Sequence, residues 1–178
     1  GQQVVVPIKF ANVPSNGITT LDMTVTYDAS KLEFVSGEAG DIVINPSINF
    51  AINKEKDGTI KMLFLDDTLT NEYISKDGVF AKLVFKVSGT STVTISKATF
   101  GDTSLKPISA TLLAGTVTVG GGSTNPTTPP TSQPTTPVTT GFTAYVESVT
   151  ASAGQQVVVP IKFANVPSNG ITTLDMTV

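Results

Sequence analysis

Residues 18–27 read ITTLDMTVTY, and their alternation of apolar and polar side chains decides the fold class. Leu21, Met23, Val25 and Tyr27 fall on one side of an extended chain, whereas the other side carries threonines and one aspartate. A period of two is typical of a β-strand with one buried face and one solvated face. The stretch therefore predicts a half-buried strand.

Similar short runs recur along the chain, and glycine, proline, asparagine or aspartate separates nearly all of them. They lie at 3–10, 31–36, 47–53, 59–66, 79–87, 92–100 and 111–119. No window shows the apolar period of an amphipathic helix. About nine short strands with frequent turn signals predict an all-β protein, an antiparallel β-sandwich.

The composition excludes several classes of function. Eleven lysines and no arginine, against fourteen acidic residues, give a net charge of -3 and no basic stripe for a nucleic acid. No apolar run approaches the roughly 20 residues needed to span a bilayer. The absence of cysteine excludes a disulfide framework, a thiolate nucleophile and a cysteine-ligated metal. It favours an exported protein built without disulfides.

The chain also offers little material for catalysis. Without histidine, cysteine or arginine, the common general bases and nucleophile activators are missing. Asp66 and Asp67 form the one adjacent acid pair, but neighbours on a strand point to opposite faces and would not flank one glycosidic bond. We interpret the pair as a solvated strand end that leads into a loop. The run AINKEKDGT, 51–59, lacks the acids of a calcium loop and predicts a hairpin turn.

The run TIKMLFLD, 59–66, departs from simple alternation. Its core side is apolar, but Leu63 and Leu65 fall on the other side, next to a lysine. Either a second layer covers this side, or it is an exposed apolar strip that binds a partner. The polar side of 18–27 would place Thr20 and Asp22 beside the leucines. An apolar centre with hydrogen-bonding groups at its rim is typical of a protein-binding site.

Three stretches resemble one known family when they are taken together. They are VPSNGITTLDMTVTYDASKLEFVSGEAGDIV at 13–43, YISKDGVFAKLVFKV at 73–87 and LLAGTVTVG at 112–120. They resemble a type I cohesin module of a bacterial cellulosomal scaffoldin, over 1–119 and again over 142–178. The resemblance implies a jelly-roll-like sandwich, one face of which binds a dockerin.

The resemblance also implies the partner and the setting. A dockerin is a small helical module attached to an enzyme, and the calcium belongs to the dockerin, so the cohesin itself needs no cofactor. The implied protein is a secreted, non-catalytic scaffold for enzymes that degrade plant polysaccharides. Two other classes stay open at this point. One is a bacterial surface adhesin or carbohydrate-binding module of similar fold, although such modules stack sugars on aromatic rings and this chain has no tryptophan. The other is a fragment of a glycosidase.

Position by position, the resemblance implies which residues touch the dockerin. Asp22 would accept a hydrogen bond from a dockerin hydroxyl, and Leu105 would pack on a dockerin helix. The full set implied in this way is Thr20, Asp22, Asn49, Leu63, Leu65, Asp66, Leu69 and Leu105.

A long exact repeat predicts the domain organisation. The sequence GQQVVVPIKFANVPSNGITTLDMTV occupies 1–25 and again 154–178, identical at all 25 positions. The 153-residue period is a domain plus a connector, so we expect a window on a tandem array that opens inside one repeat and closes inside the next. The connector, 120–141, holds five prolines and eight threonines and predicts an extended linker, either plain or O-glycosylated.

Only the second copy of the repeat is preceded by FTAYVESVTASA, 142–153. We therefore expect 1–119 to be a cohesin module without its first strand, 120–141 to be a linker, and 142–178 to be the N-terminal strands of the next repeat. In the family, that first strand lies between the second and the last strands of one sheet. We expect 142–150 to take this place, within its own chain or exchanged with a second copy.

Overall fold

A computed structural model describes residues 2–68, 71–120 and 140–152, and these residues form two β-sheets packed face to face. The predicted all-β sandwich is confirmed. One short helix, α1 (Pro46–Asn49), precedes β4. The strands in chain order are β1 (Gln2–Ala11), β2 (Thr20–Tyr27), β3 (Leu32–Ala39), β4 (Phe50–Lys56), β5 (Thr59–Leu65), β6 (Gly78–Val87), β7 (Ser91–Gly101), β8 (Pro107–Ile108), β9 (Thr111–Leu113), β10 (Gly115–Gly120), β11 (Thr143–Val146) and β12 (Val149–Ser152).

The strand order places β2 and β5 side by side within the larger sheet. The smaller sheet has the order β3-β6-β1-β11-β9, and the larger has the order β12-β10-β7-β2-β5-β4, with β8 also paired to β7. Most pairs are antiparallel, but β11 runs parallel to β9 and β12 runs parallel to β10. Both parallel pairs involve the segment that follows 121–139.

The core lies between the sheets and confirms the alternation in 18–27. Leu21, Met23 and Val25 are at most 3% exposed. Phenylalanine rings from both sheets meet in the core: Phe10 stacks on Phe80 with ring centroids 4.8 Å apart, and Phe100 meets Phe142 edge-on at 4.9 Å. Aromatic pairs of this geometry add stability beyond the area that they bury.

The strand predicted at 47–53 begins only at Phe50. Pro46 opens α1 instead, after Asn45 adopts a left-handed backbone with φ of 50°. Proline at the first position of a helix loses no hydrogen bond there, so a single turn forms where the apolar pattern alone predicts a strand. Among the described residues no helix is long or apolar enough to cross a membrane.

The place expected for 142–150 is confirmed within the same chain. β11 pairs with β1 on one side and β9 on the other, and β12 pairs with β10. Residues 121–139 and 153–178 lie outside the described residues. The division into 1–119, 120–141 and 142–178 therefore stays a prediction.

Candidate protein-binding face

The two leucines of β5 lie on the solvent side of the larger sheet. The register of β2 and β5 sets Leu63 opposite Asp22 and Leu65 opposite Thr20. Each leucine is 52% exposed, so in the described part of the chain the strip is an exposed apolar surface and has no covering layer. We call the solvent side of β4, β5, β2 and β7 the leucine face.

Neighbouring strands extend this face with small residues. Ala51 of β4 lies opposite Leu63, and Thr99 of β7 lies opposite Asp22, both exposed. Gly101 lies opposite Thr20, where a β-carbon on the glycine would collide with the threonine Oγ1. The glycine therefore leaves room for the Thr20 hydroxyl at the rim of the face.

A bulge explains why the alternation of β7 did not predict Thr99. The register between β2 and β7 shifts after Thr24, and Ser96 and Lys97 are both exposed. Strict alternation from the buried Ile95 would turn Thr99 into the core. The extra residue brings it to the solvent side instead.

The charges on the face leave one acceptor open. Lys61 forms an ion pair with Glu55 at 3.0 Å. That hydrogen bond and the charge of Glu55 raise the pKa of Lys61, with a smaller contribution from Asp22. Among the described residues no side chain or backbone group donates a hydrogen bond to the Asp22 carboxylate, which is exposed. A donor from a partner can therefore reach it.

Leu105 projects from the loop that follows Gly101. Its side chain is 64% exposed, and its backbone φ is 58°. The left-handed region is costly for a residue with a branched side chain, and such conformations persist where the surroundings enforce them.

Asp102 enforces that loop conformation. Its Oδ1 accepts hydrogen bonds from the backbone N–H of Ser104 at 2.8 Å and of Lys106 at 2.9 Å, and its Oδ2 accepts one from Asn16 Nδ2 at 2.5 Å. The bond from the Lys106 N–H is the main reason that the pKa of Asp102 is lowered, and the bonds from Ser104 and Asn16 add to it. The carboxylate thus fixes the loop that presents Leu105.

Two of the expected contact residues are buried. Asp66 is 0% exposed, and its carboxylate accepts bonds from Thr68 N at 2.9 Å, Thr68 Oγ1 at 2.6 Å and Glu72 N at 3.2 Å. Asn49 is 2% exposed and donates to Glu72 Oε2 at 2.6 Å. The interpretation of Asp66 as a solvated strand end was wrong, because the chain folds back over it after β5.

Asp66 and Asn49 therefore support, through buried hydrogen bonds, the loop that borders the leucine face. Asp66 N also donates to Thr19 O at 2.8 Å, which ties the end of β5 to the start of β2. Leu69 lies outside the described residues.

Among the described residues, one group of carboxylates is spaced as metal ligands could be: Asp66, Asp67 and Glu72. Their oxygen atoms lie within 4.8 Å of one another. Donors from Asn49 and from the loop backbone occupy the oxygens of Asp66 and Glu72. The cluster is explained by the loop's own hydrogen bonds.

Sequence reasoning missed Ile48, which is 63% exposed. It lies on α1, directly before the buried Asn49 and beside the end of β5 that carries Leu65. The signal was Pro46, which marks a helix start when a polar turn residue precedes it.

The profile of the family described as the cohesin domain matches residues 1–119. The chain belongs to the cohesin family. It is 38% identical, over 98% of its length, to cellulose-binding protein A of Clostridium cellulovorans. It is 35% identical, again over 98%, to cellulosomal-scaffolding protein A of Acetivibrio thermocellus. The chain spans 9% and 10% of the length of these two relatives.

Solved cohesins share the fold. The sixth cohesin of scaffoldin B from Acetivibrio cellulolyticus, solved with a mutant Cel5 dockerin, is 51% identical with a TM-score of 0.65, covering 66% of this chain and 89% of that one. The OlpA cohesin of a type I cohesin–dockerin complex from Clostridium thermocellum is 34% identical with a TM-score of 0.63 and the same coverage. The resemblance to type I cohesins is thereby confirmed.

Proposed function

We propose that the leucine face binds a dockerin, and that the chain is a non-catalytic module that recruits dockerin-bearing enzymes to an extracellular assembly. The observation that carries this proposal is the pair of half-exposed leucines, Leu63 and Leu65, next to the open carboxylate of Asp22. Two cohesins similar to this chain were solved with dockerins, and one relative is named as a cellulosomal scaffolding protein.

The face suits a helical partner of moderate size. Its centre is apolar and its rim offers Thr20, Asp22 and Thr99, the arrangement in which a few central contacts supply most of the binding energy. A helix laid across the sheet would cover the leucines and bring a hydroxyl or backbone N–H at its end to Asp22. Leu105 at the border would add a second apolar contact.

A carbohydrate-binding function fits the surface less well. Sugar rings stack on exposed aromatic side chains, but the large exposed hydrophobics of the described residues are all aliphatic. They are Val5, Val35, Ile44, Ile48, Leu63, Leu65, Leu105 and Val119. Tyr27 and Tyr145 are buried.

Substitutions on the face should weaken binding to a calcium-loaded dockerin. We expect Asp22→Ala to cost about 1–3 kcal/mol of binding free energy, because the donor on the partner would be buried without an acceptor. Leu65→Asp should cost more, since it places a charge at the apolar centre. Isothermal titration calorimetry measures both effects, and circular dichroism checks that the variants are folded.

Matched controls lie elsewhere on the surface. Val5→Asp changes an aliphatic residue of similar exposure, 47%, on the smaller sheet, and Asp57→Ala removes an exposed acid of the β4–β5 turn. Both should bind like the unmodified chain, and EDTA should abolish binding in all cases because the calcium is on the dockerin. Unchanged affinity in Asp22→Ala and Leu65→Asp would contradict the proposal and favour an adhesin.

A further inference from the structure

The segment 142–152 is built into the sandwich like any internal strand. Within it, Phe142, Ala144, Tyr145, Val146 and Ala151 are at most 7% exposed. Its backbone pairs with three other strands, namely β1, β9 and β10. We call the place that it fills, between β1 and β9 and then beside β10, the strand slot.

Side-chain and backbone contacts join this segment to β1 and β10. Lys9 forms an ion pair with Glu147 at 2.7 Å, both side chains being less than one-fifth exposed. Thr116 N donates to Ser148 Oγ at 3.0 Å, and Glu147 N donates to Pro7 O at 2.9 Å. None of these bonds requires that the segment and the slot belong to one molecule. A copy from another chain would make the same contacts.

The covalent path to the slot is long and must run backwards. Residues 143–152 run parallel to 111–120, with Thr143 beside Thr111 and Ser152 beside Gly120. The chain leaving Gly120 therefore has to return about 30 Å to reach Phe142, at about 3.3 Å per strand residue. The 21 intervening residues could span about 75 Å when fully extended, so they permit closure without enforcing it.

The sequence of β1, the strand that pairs with β11, occurs twice in the chain. β1 is the strand on which β11 is seated, and residues 154–163 repeat residues 1–10 letter for letter. Each copy of the chain thus carries one donor strand and two versions of the sequence that the donor pairs with. A tether of about 20 residues gives an effective concentration on the order of millimolar, which a concentrated or tethered second copy can match.

We propose that 142–152 is an exchangeable donor strand: it fills the slot of its own chain where the linker allows this, and where the linker does not, the slot accepts Phe142–Ser152 of a second copy in a reciprocal, two-fold dimer. The proposal is independent of dockerin binding. The slot pairs with the larger sheet at β10, on the opposite side of β7 from β2 and β5, so the leucine face stays free in the dimer.

A shortened linker tests this directly. Deleting residues 123–138 leaves five residues between Gly120 and Phe142, which reach about 22 Å and cannot close the path of about 30 Å. We expect this variant to have twice the molar mass of the unmodified chain by size-exclusion chromatography with light scattering. Its melting temperature should stay within a few degrees of the unmodified chain, because every contact of the slot is remade in trans.

A milder deletion is the matched control. Removing residues 131–138 leaves thirteen residues, which reach about 50 Å, and this variant should remain monomeric. Ala144→Glu in the short-linker variant should abolish the dimer, since Ala144 is 0% exposed in the slot. A short-linker variant that is monomeric, unfolded or aggregated would overturn the proposal, because it would show that the slot does not bind the strand of a second copy.

Discussion

At the scale of single residues, Leu105 combines backbone strain with exposure. A left-handed backbone costs a non-glycine residue about 1–2 kcal/mol, and a side chain that is 64% exposed recovers little of this within the module. Asp102 holds the loop in place through hydrogen bonds from Ser104, Lys106 and Asn16. Strain that is kept without internal benefit points to a role in binding.

Leu105→Gly should therefore change stability and binding in opposite directions. Glycine relieves the left-handed strain but adds freedom to the unfolded chain, so we expect a net gain of roughly 0.5–1 kcal/mol in unfolding free energy. Loss of the leucine should weaken dockerin binding by about 1–2 kcal/mol. Differential scanning calorimetry and titration calorimetry measure the two effects. A fall in melting temperature, or full affinity, would refute this explanation of the strain.

At the scale of elements, regular alternation of apolar and polar residues predicted which face of a strand is buried. β2 has an unbroken pattern, so its buried and exposed faces could be predicted. In β5 the pattern placed Leu63 and Leu65 on the side away from the core but left open whether a second layer covers them, and the structure shows both exposed. The bulge in β7 and the helical turn that begins at Pro46 both interrupt the period of two. The exposure of Thr99 and Ile48 could therefore not be predicted from the alternation.

Buried polar residues were beyond prediction for a different reason. Asp66 and Asn49 are hidden by one folded loop. Thr68 and Glu72, two and six residues after Asp66, donate to its carboxylate, and Glu72 accepts a bond from Asn49, 23 residues before it. Only the folded chain brings those groups together. The family resemblance implied that both positions touch the partner; both side chains are buried in the unbound chain, and their contact with a partner stays a prediction.

Substitution of Asp66 tests whether its carboxylate stabilises the loop that follows β5. We expect Asp66→Ala to lower the unfolding free energy by about 2–4 kcal/mol, because Thr68 N, Thr68 Oγ1 and Glu72 N lose their buried acceptor. Asp66→Asn keeps one carbonyl oxygen and should cost about half as much. Urea denaturation measures both. A variant with weakened dockerin binding but normal stability would instead make Asp66 a direct contact.

At the scale of the whole molecule, the leucine face and the strand slot lie apart in the sandwich. The leucine face needs β4, β5, β2 and β7, whereas the strand slot needs β1, β9 and β10. They share the core, because Phe142 of the donor strand packs on Phe10 and Phe100 with ring centroids 5.4 Å and 4.9 Å away. Filling the slot should consequently support the sheet that carries the leucine face.

Removing the donor strand should destabilise the entire sandwich. A chain ending at Gly120 leaves the facing edges of β1 and β9 unpaired and opens the core around Phe10. Burial of one phenylalanine, one tyrosine and one valine contributes about 1.5–3 kcal/mol each, which together approaches the 5–15 kcal/mol stability of a typical domain. At about 4–8 °C per kcal/mol, we expect the melting temperature to fall by more than about 15 °C, or the cooperative transition to vanish.

The reference is a chain ending at Ser152, which also lacks 153–178 and so isolates the strand. A peptide of residues 140–152 added to the shorter chain should recover part of the loss in proportion to its concentration. Equal melting temperatures for the two chains would show that 142–152 contributes nothing to the fold.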